Sequence, residues 1–310
     1  MSVFVRSTAL NNAASGLLRS TAIVSLIVSG SIVQAQDLTF DAGAPGGATI
    51  DPADGNWNLA DVVWNDGTPV ASAFTDNTNV IFNDGGAPGV YTVTVDATVN
   101  AGNITFDSVG FVIADGGGQI QPGAGETTTI TVNADAAIGA DISGTFIQAG
   151  TATLAYTGTT TTLDSYTING GTFANSGSMT NALVGQTGDI INYGGTFTNT
   201  GTVDTYNQTA GISNLEGNVT SDLTLGAGTT TITNNLIVGG TLNNAVELTF
   251  GNAVSANDVL NTGTVTIQNG GVLNVTGAGE VFDNDAGNLN INTGGQLNGD
   301  LQNDATVDMD

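Results

Sequence analysis

One short unit recurs along this chain, and it limits the available folds more than any other feature. Residues 167–178 read TINGGTFANSGS, 191–203 INYGGTFTNTGTV, 236–244 LIVGGTLNN, 265–275 VTIQNGGVLNV and 289–298 LNINTGGQLN. Each copy has a β-branched or Leu-containing strand, a Gly-Gly or Asn-Gly-Gly break and a second short strand, then Asn and often Thr-Gly. The Gly-Gly pairs begin at 170, 194, 239, 270 and 294, with separations of 24, 45, 31 and 24. We read the 45 as close to two units and the 31 as a unit with an inserted loop. An antiparallel sandwich also has many short strands, but it does not require one unit to return at a fixed interval. A solenoid does, because each coil supplies two or three strands that stack on the next coil in parallel register. The expected fold is all-β, a right-handed parallel β-helix with about 20–25 residues per coil.

That register makes predictions residue by residue. Like side chains stand above one another, so Ile, Val, Leu and Phe fill the interior. Gly takes the corners, where positive φ is often required. Asn also tolerates the left-handed conformation, and stacked Asn amides can hydrogen-bond from coil to coil. Thr suits the solvent-facing strand positions. About 12 coils at about 4.8 Å each give a rod of roughly 55–60 Å. A single coil buries too little to stand alone, whereas an array of coils can be stable. Disorder, the alternative for a chain with 45 Gly in 310 residues, is opposed by a 40% hydrophobic content arranged in short β-branched runs.

The first 35 residues read as an export signal. Arg6 and Arg19 precede and abut an apolar run from Thr21 to Val33, and Val33-Gln34-Ala35 suits a signal peptidase that cuts after Ala35. Those are the chain's two basic residues, and all 28 acids follow them. From Gln36 onward there is no Lys, Arg or His, and the formal charge is −28. Acid repulsion there can be relieved only by spacing, water, salt or bound cations. Nucleic acid is excluded as a partner, since phosphate contacts rely on Lys and Arg. Residues 36–310 contain no apolar stretch long enough for direct membrane insertion as a helix. Cysteine is absent, so no disulfide staples the fold.

Residues 36–118 form a distinct N-terminal capping or early β-helix region, and 119–310 form the repetitive β-helix. The first region holds Trp57 and Trp64, in GNWNLADVVWNDG at 55–67, with strands expected at Asn79–Phe82, Val90–Val95, Asn103–Phe106 and Phe111–Ala114. In YTVTV, Tyr91, Val93 and Val95 share one face. The tryptophans read as cap or core, with a sugar-stacking surface as the alternative. The chain stops at Asp310 inside what reads as another repeat, so we expect a C-terminally truncated protein.

GNWNLADVVW, the following NVIFNDGG, VTVDATVNAGNITFDSVGFVIADGG at 93–117 and the INGGTFANSG-type repeats together resemble the passenger domains of autotransporters, the type V secreted proteins of Gram-negative bacteria. Similar repeats occur in other β-helical surface adhesins. The resemblance spans roughly Leu38 to the end. It implies a surface-exposed or released stalk, carried by a covalently continuous outer-membrane β-barrel downstream, that adheres to surface glycans or proteins. The sequence departs from the complete pattern in lacking that barrel.

Chemistry-bearing constellations are scarce. Without His and Cys the usual zinc sites are excluded, and Ser/His nucleophile–base catalysis is excluded with them. Asn83-Asp84-Gly85, Asp115-Gly116-Gly117 and Asp283-Asn284-Asp285 are Asp-rich turns; the last is nearest to a calcium-like pair but lacks EF-hand spacing. The Gly-rich run at 114–126 has no Lys to hold a phosphate. No catalytic, cofactor-binding or metal-ligating residue is nominated. The reading is a non-enzymatic passenger or stalk, secreted or at the outer-membrane surface. The alternatives are a surface-layer or biofilm-matrix protein, or an enzyme acting on polysaccharide through paired carboxylates. Circular dichroism of residues 36–310 is expected to give a dominant β signal and a cooperative melt; a coil spectrum would refute the fold.

Overall fold

The computed structural model describes residues 37–43, 49–68, 70–182 and 188–310, all within the compact unit Ala35–Asp310. The export-signal reading of residues 1–35 lies outside the described residues. The described residues contain strands and turns but no helix.

The strands wind into a parallel β-solenoid with three faces. One coil shows the plan. Thr172–Asn175 lies on one face, Ser178–Met179 on the next and Asp189–Asn192 on the third. The following coil repeats the order with Thr196–Asn199, Thr202–Val203 and Thr205–Gln208. Each strand pairs in parallel with its counterpart, Phe173 with Phe197, Met179 with Val203 and Ile190 with Tyr206. We call these the second, third and first faces, because Asp37–Phe40 opens the described chain on the last of them. Elsewhere one strand turns two corners without a break, as Thr229–Asn244 does.

In the first coil, which carries long insertions, Asp37 lies 42 positions from its partner Asn79 and Gly55 38 from Val93; in the later coils equivalent residues lie from 16 positions apart, as for Thr198 and Asn214, to 26, as for Asn103 and Thr129. Several coils are thus shorter than the expected 20–25 residues. Three short strands and three tight corners suffice to close a coil, and extra residues collect in individual corners. The same geometry corrects the reading of the glycine pairs. Gly170-Gly171 and Gly194-Gly195 sit between the first and second faces, Gly239-Gly240 between the third and first, and Gly270-Gly271 and Gly294-Gly295 between the second and third. The intervals of 24 each measure one coil, whereas those of 45 and 31 also change corner. All three corners demand the same close approach, so the glycine signature can move among them. At one corner a Cβ on Gly177 would strike the carbonyl oxygen of Gly158, and one on Gly201 that of Gly177.

The interior is a set of side-chain ladders. Leu154, Phe173 and Phe197 stack on the second face, and Tyr166, Ile190, Tyr206, Leu223, Leu242, Val259 and Phe282 on the first; all are buried. Tyr166 and Phe173 meet across the interior with ring centroids 4.3 Å apart, and Phe197 and Tyr206 at 4.6 Å. Near the start, Trp57 and Trp64 are fully buried, 5.7 Å apart, and both contact Phe74 and Phe82. Burial removes these two rings from any sugar-stacking surface. Trp64–Asn65 pairs antiparallel with Asp37–Phe40 and covers the strand edge opposite Thr78–Phe82, which shields that edge from pairing with another chain.

Amide ladders run beside the apolar ones. Asn244 donates to the Oδ1 of Asn261 (2.9 Å), Asn261 to Asn284 (2.7 Å) and Asn284 to Asn303 (2.6 Å). The same side chains also bond the backbone of the next corner, at Thr264, Asn288 and Thr306. Asn175 and Asn199 form a shorter ladder on another corner, at 2.8 Å. The expected coil-to-coil Asn stacking is therefore present, and it turns inward, saturating polar backbone that the tight corners bury.

Asn261→Ala removes a rung in the middle of the longer ladder and leaves Asn284 Oδ1 without its donor. It is expected to cost about 1–3 kcal/mol in chemical denaturation. Thr249→Ala, on an outward strand position, should stay within about 0.5 kcal/mol.

Candidate ligand cleft

A polar concavity among the described residues arises from unequal corners. Gln119–Gln121 on the third face is followed by six residues, 122–127, before Thr128–Val132 resumes the first face. One coil later, Ser143 alone separates Asp141–Ile142 from Gly144–Gly150. A wide corner beside a tight one leaves a step, and the step is a cleft of about 560 Å³. It crosses four coils, with Asn100 on one, 121–127 on the next, 143–145 on the third and Asp164 on the fourth.

Local sequence explains the step. Pro122 has no N–H to give the ladder, and Gly125 has φ +75° where the loop folds back through the Glu126 N–H to Gly123 carbonyl bond of 2.8 Å. Gly144 turns the tight corner with φ +90°, close against the Pro122 ring. Asn77 buttresses the loop from below; it is the one non-glycine residue with positive φ (65°) among the described residues. A side chain at Gly123 would strike its amide.

The lining mixes donors and acceptors. Gln121 donates to Asn100 Oδ1 at 2.7 Å, which fixes both amides in the lining. Ser143 donates to the Thr162 carbonyl at 3.2 Å. The exposed carboxylates of Glu126 and Asp164 make no hydrogen bond among the described residues. The Gly-rich run at 114–126 supplies part of this wall, but no sequence pattern ties it to Asp164, two coils away in the same lining. A second, apolar cavity of about 730 Å³, lined by residues including Ile291, Leu297, Leu301, Val307 and Met309, is a continuation of the interior rather than a side cleft.

The Asp-rich turns act within the fold. Asp84 accepts from Gly86 N (2.9 Å) and Ser108 Oγ (3.0 Å), and Asp115 from Gly117 N (2.7 Å). In Asp283-Asn284-Asp285 the central residue belongs to the buried amide ladder, so the three side chains do not converge. Among the described residues no group of three acids is placed to hold a metal ion. Buried carboxylates find neutral donors instead. Asp204 accepts from the N–H groups of Asn181 (3.3 Å) and Gly188 (3.1 Å) and from the hydroxyls of Thr220 (2.6 Å) and Ser221 (3.3 Å).

Comparison with family models, curated proteins and solved structures yields no match.

Asp283 generates a pH prediction. Its Oδ1 is shut from solvent without a hydrogen-bond partner. Desolvation, then the charges of Asp285, Asp304 and Asp258, raise its carboxyl above the ordinary 3.8. The folded chain thus holds this proton more tightly than the unfolded chain. Its contribution to stability grows as pH falls through the raised value and is complete below 3.8. Asp283→Asn is expected to raise the melting temperature near pH 7 and to weaken the stabilisation seen on mild acidification, both readable from melts across pH.

Proposed function

We propose that this chain is a non-enzymatic adhesive stalk, exported and held at or released from a cell surface in the manner of the autotransporter passengers it resembles. The observation that carries this reading is the continuous outward surface of the second face. Its exposed and half-buried strand positions run Thr153 and Ala155, Thr172 and Ala174, Thr196 and Thr198, Ile212 and Asn214, then Thr229 and Thr231, each pair stacked on the last. No acid stands among them, in a chain with 28 acids and no base after Arg19. This acid-free, hydroxyl-rich stretch of five coils, bounded on the same face by Asp135 and Glu247, suits contact with a surface better than turnover of a substrate. The corner glycines and amide ladders serve rigidity and take no part in chemistry.

The same face supports a second reading, as a surface-layer or matrix component. Two copies could approach there without bringing carboxylates together, although their net charge opposes association elsewhere. A downstream outer-membrane barrel remains part of the first proposal, and reading the gene beyond Asp310 tests it.

Beads coated with the chain are expected to resist detachment by flow from at least one cell or glycan surface. Equal detachment of coated and bare beads from every surface tested would sink the adhesive reading. Sheets or filaments forming from the purified chain under electron microscopy would favour the matrix reading instead.

A further inference from the structure

We infer that the corner cleft between Gln121 and Asp164 binds a short, non-anionic oligosaccharide laid across successive coils. This deepens the adhesive reading and rests on it, by giving that reading a site and a ligand class. The cleft volume of about 560 Å³ falls within the range of small-molecule sites. Its four coils set a trough roughly 14 Å long at the ordinary strand spacing. That shape fits a linear chain of rings better than one compact metabolite.

The lining chemistry narrows the class. A sugar hydroxyl both donates and accepts, and the cleft offers both kinds of partner. Asn100 Nδ2 donates; Gln121 Oε1 and the Glu126 and Asp164 carboxylates accept; the Ser143 hydroxyl, whose proton goes to the Thr162 carbonyl, also accepts, and that of Thr145 can do either. Exposed Ala124 adds apolar surface for the C–H face of a ring. Phosphorylated, sulfated and uronic-acid chains are excluded because the cleft holds two carboxylates and no cation is available from Gln36 onward. The walls are also set before binding. The Gln121–Asn100 bond locks the amides, and the Asn77 buttress and Gly144 corner fix the two sides, so little ordering cost is incurred on association. No bond is made or broken in the ligand.

The test titrates the full exported chain by calorimetry against neutral gluco-, galacto- and manno-oligosaccharides, with oligogalacturonate and spermine as charged comparators. At least one neutral series is expected to bind, with affinity changing by less than about twofold between about 0.05 and about 0.5 M salt. Ala124→Trp fills the cleft from an exposed loop position, and Asp164→Ala removes an acceptor. Each is expected to weaken that binding by about tenfold or more with an unchanged melt, while Thr249→Trp, on the second face, leaves it intact. Binding by no neutral series overturns the inference, as does binding indifferent to both cleft substitutions, or salt-sensitive binding of spermine alone. Bead adhesion that survives Ala124→Trp after oligosaccharide binding is lost leaves the adhesive reading standing without this site. Oligosaccharide binding at the cleft with no bead adhesion overturns the adhesive reading while the site stands.

Discussion

In-register parallel pairing between successive coils is the constraint on which the rest of this structure depends. Once Phe173 must pair with Phe197 and Ile190 with Tyr206, each inward position becomes a column, and whatever it holds must be compatible with itself one strand spacing away. Apolar side chains and aromatic rings meet that condition readily. Asn meets it because its amide is both donor and acceptor, so Asn244, Asn261, Asn284 and Asn303 can pass one bond along the column. A charged side chain does not, and the interior ladders contain none.

The same constraint governs the corners. The backbone there turns sharply beneath an identical turn, and a Cβ pointing at the carbonyl above has no room, as at Gly177 and Gly201. Amides projecting from the strand ends then satisfy corner carbonyls such as those of Thr264 and Asn288. Corners may lengthen freely only outward, since a loop leaving the stack disturbs no column. The wide corner at 122–127 is such an excursion, and its concavity exists only because the corner of the next coil is tight.

The absence of bases shapes the polar chemistry. Carboxylates that enter the protein are met by N–H groups and hydroxyls, as at Asp204, and at Asp41, which accepts from Asp51 N (2.7 Å) and the Asn65 amide (3.1 Å). Where such donors are missing, as at Asp283 Oδ1, the carboxyl is driven toward its neutral form. Outward strand positions on the second face carry Thr and Asn instead of acids over several coils, while acids such as Asp164, Asp189 and Asp283 occupy first-face strands.

Sequence alone determined the parallel solenoid, the burial of the Val93 and Val95 face, the strand near 79–82 (Thr78–Phe82), the Gly corners and the Asn stacking. These follow from local pattern, because period-two alternation and a repeating turn signature are written within one coil. It treated the glycine pairs as one corner, since three corners with the same steric demand leave the same signature, and it did not foresee that several coils close with as few as 16 residues. It also could not see the cleft. Asn100, Gln121, Ser143 and Asp164 lie on four coils, and their meeting depends on how many residues each intervening corner contains. Only the tertiary structure fixes that, because the register between coils, not the distance along the chain, decides which side chains become neighbours.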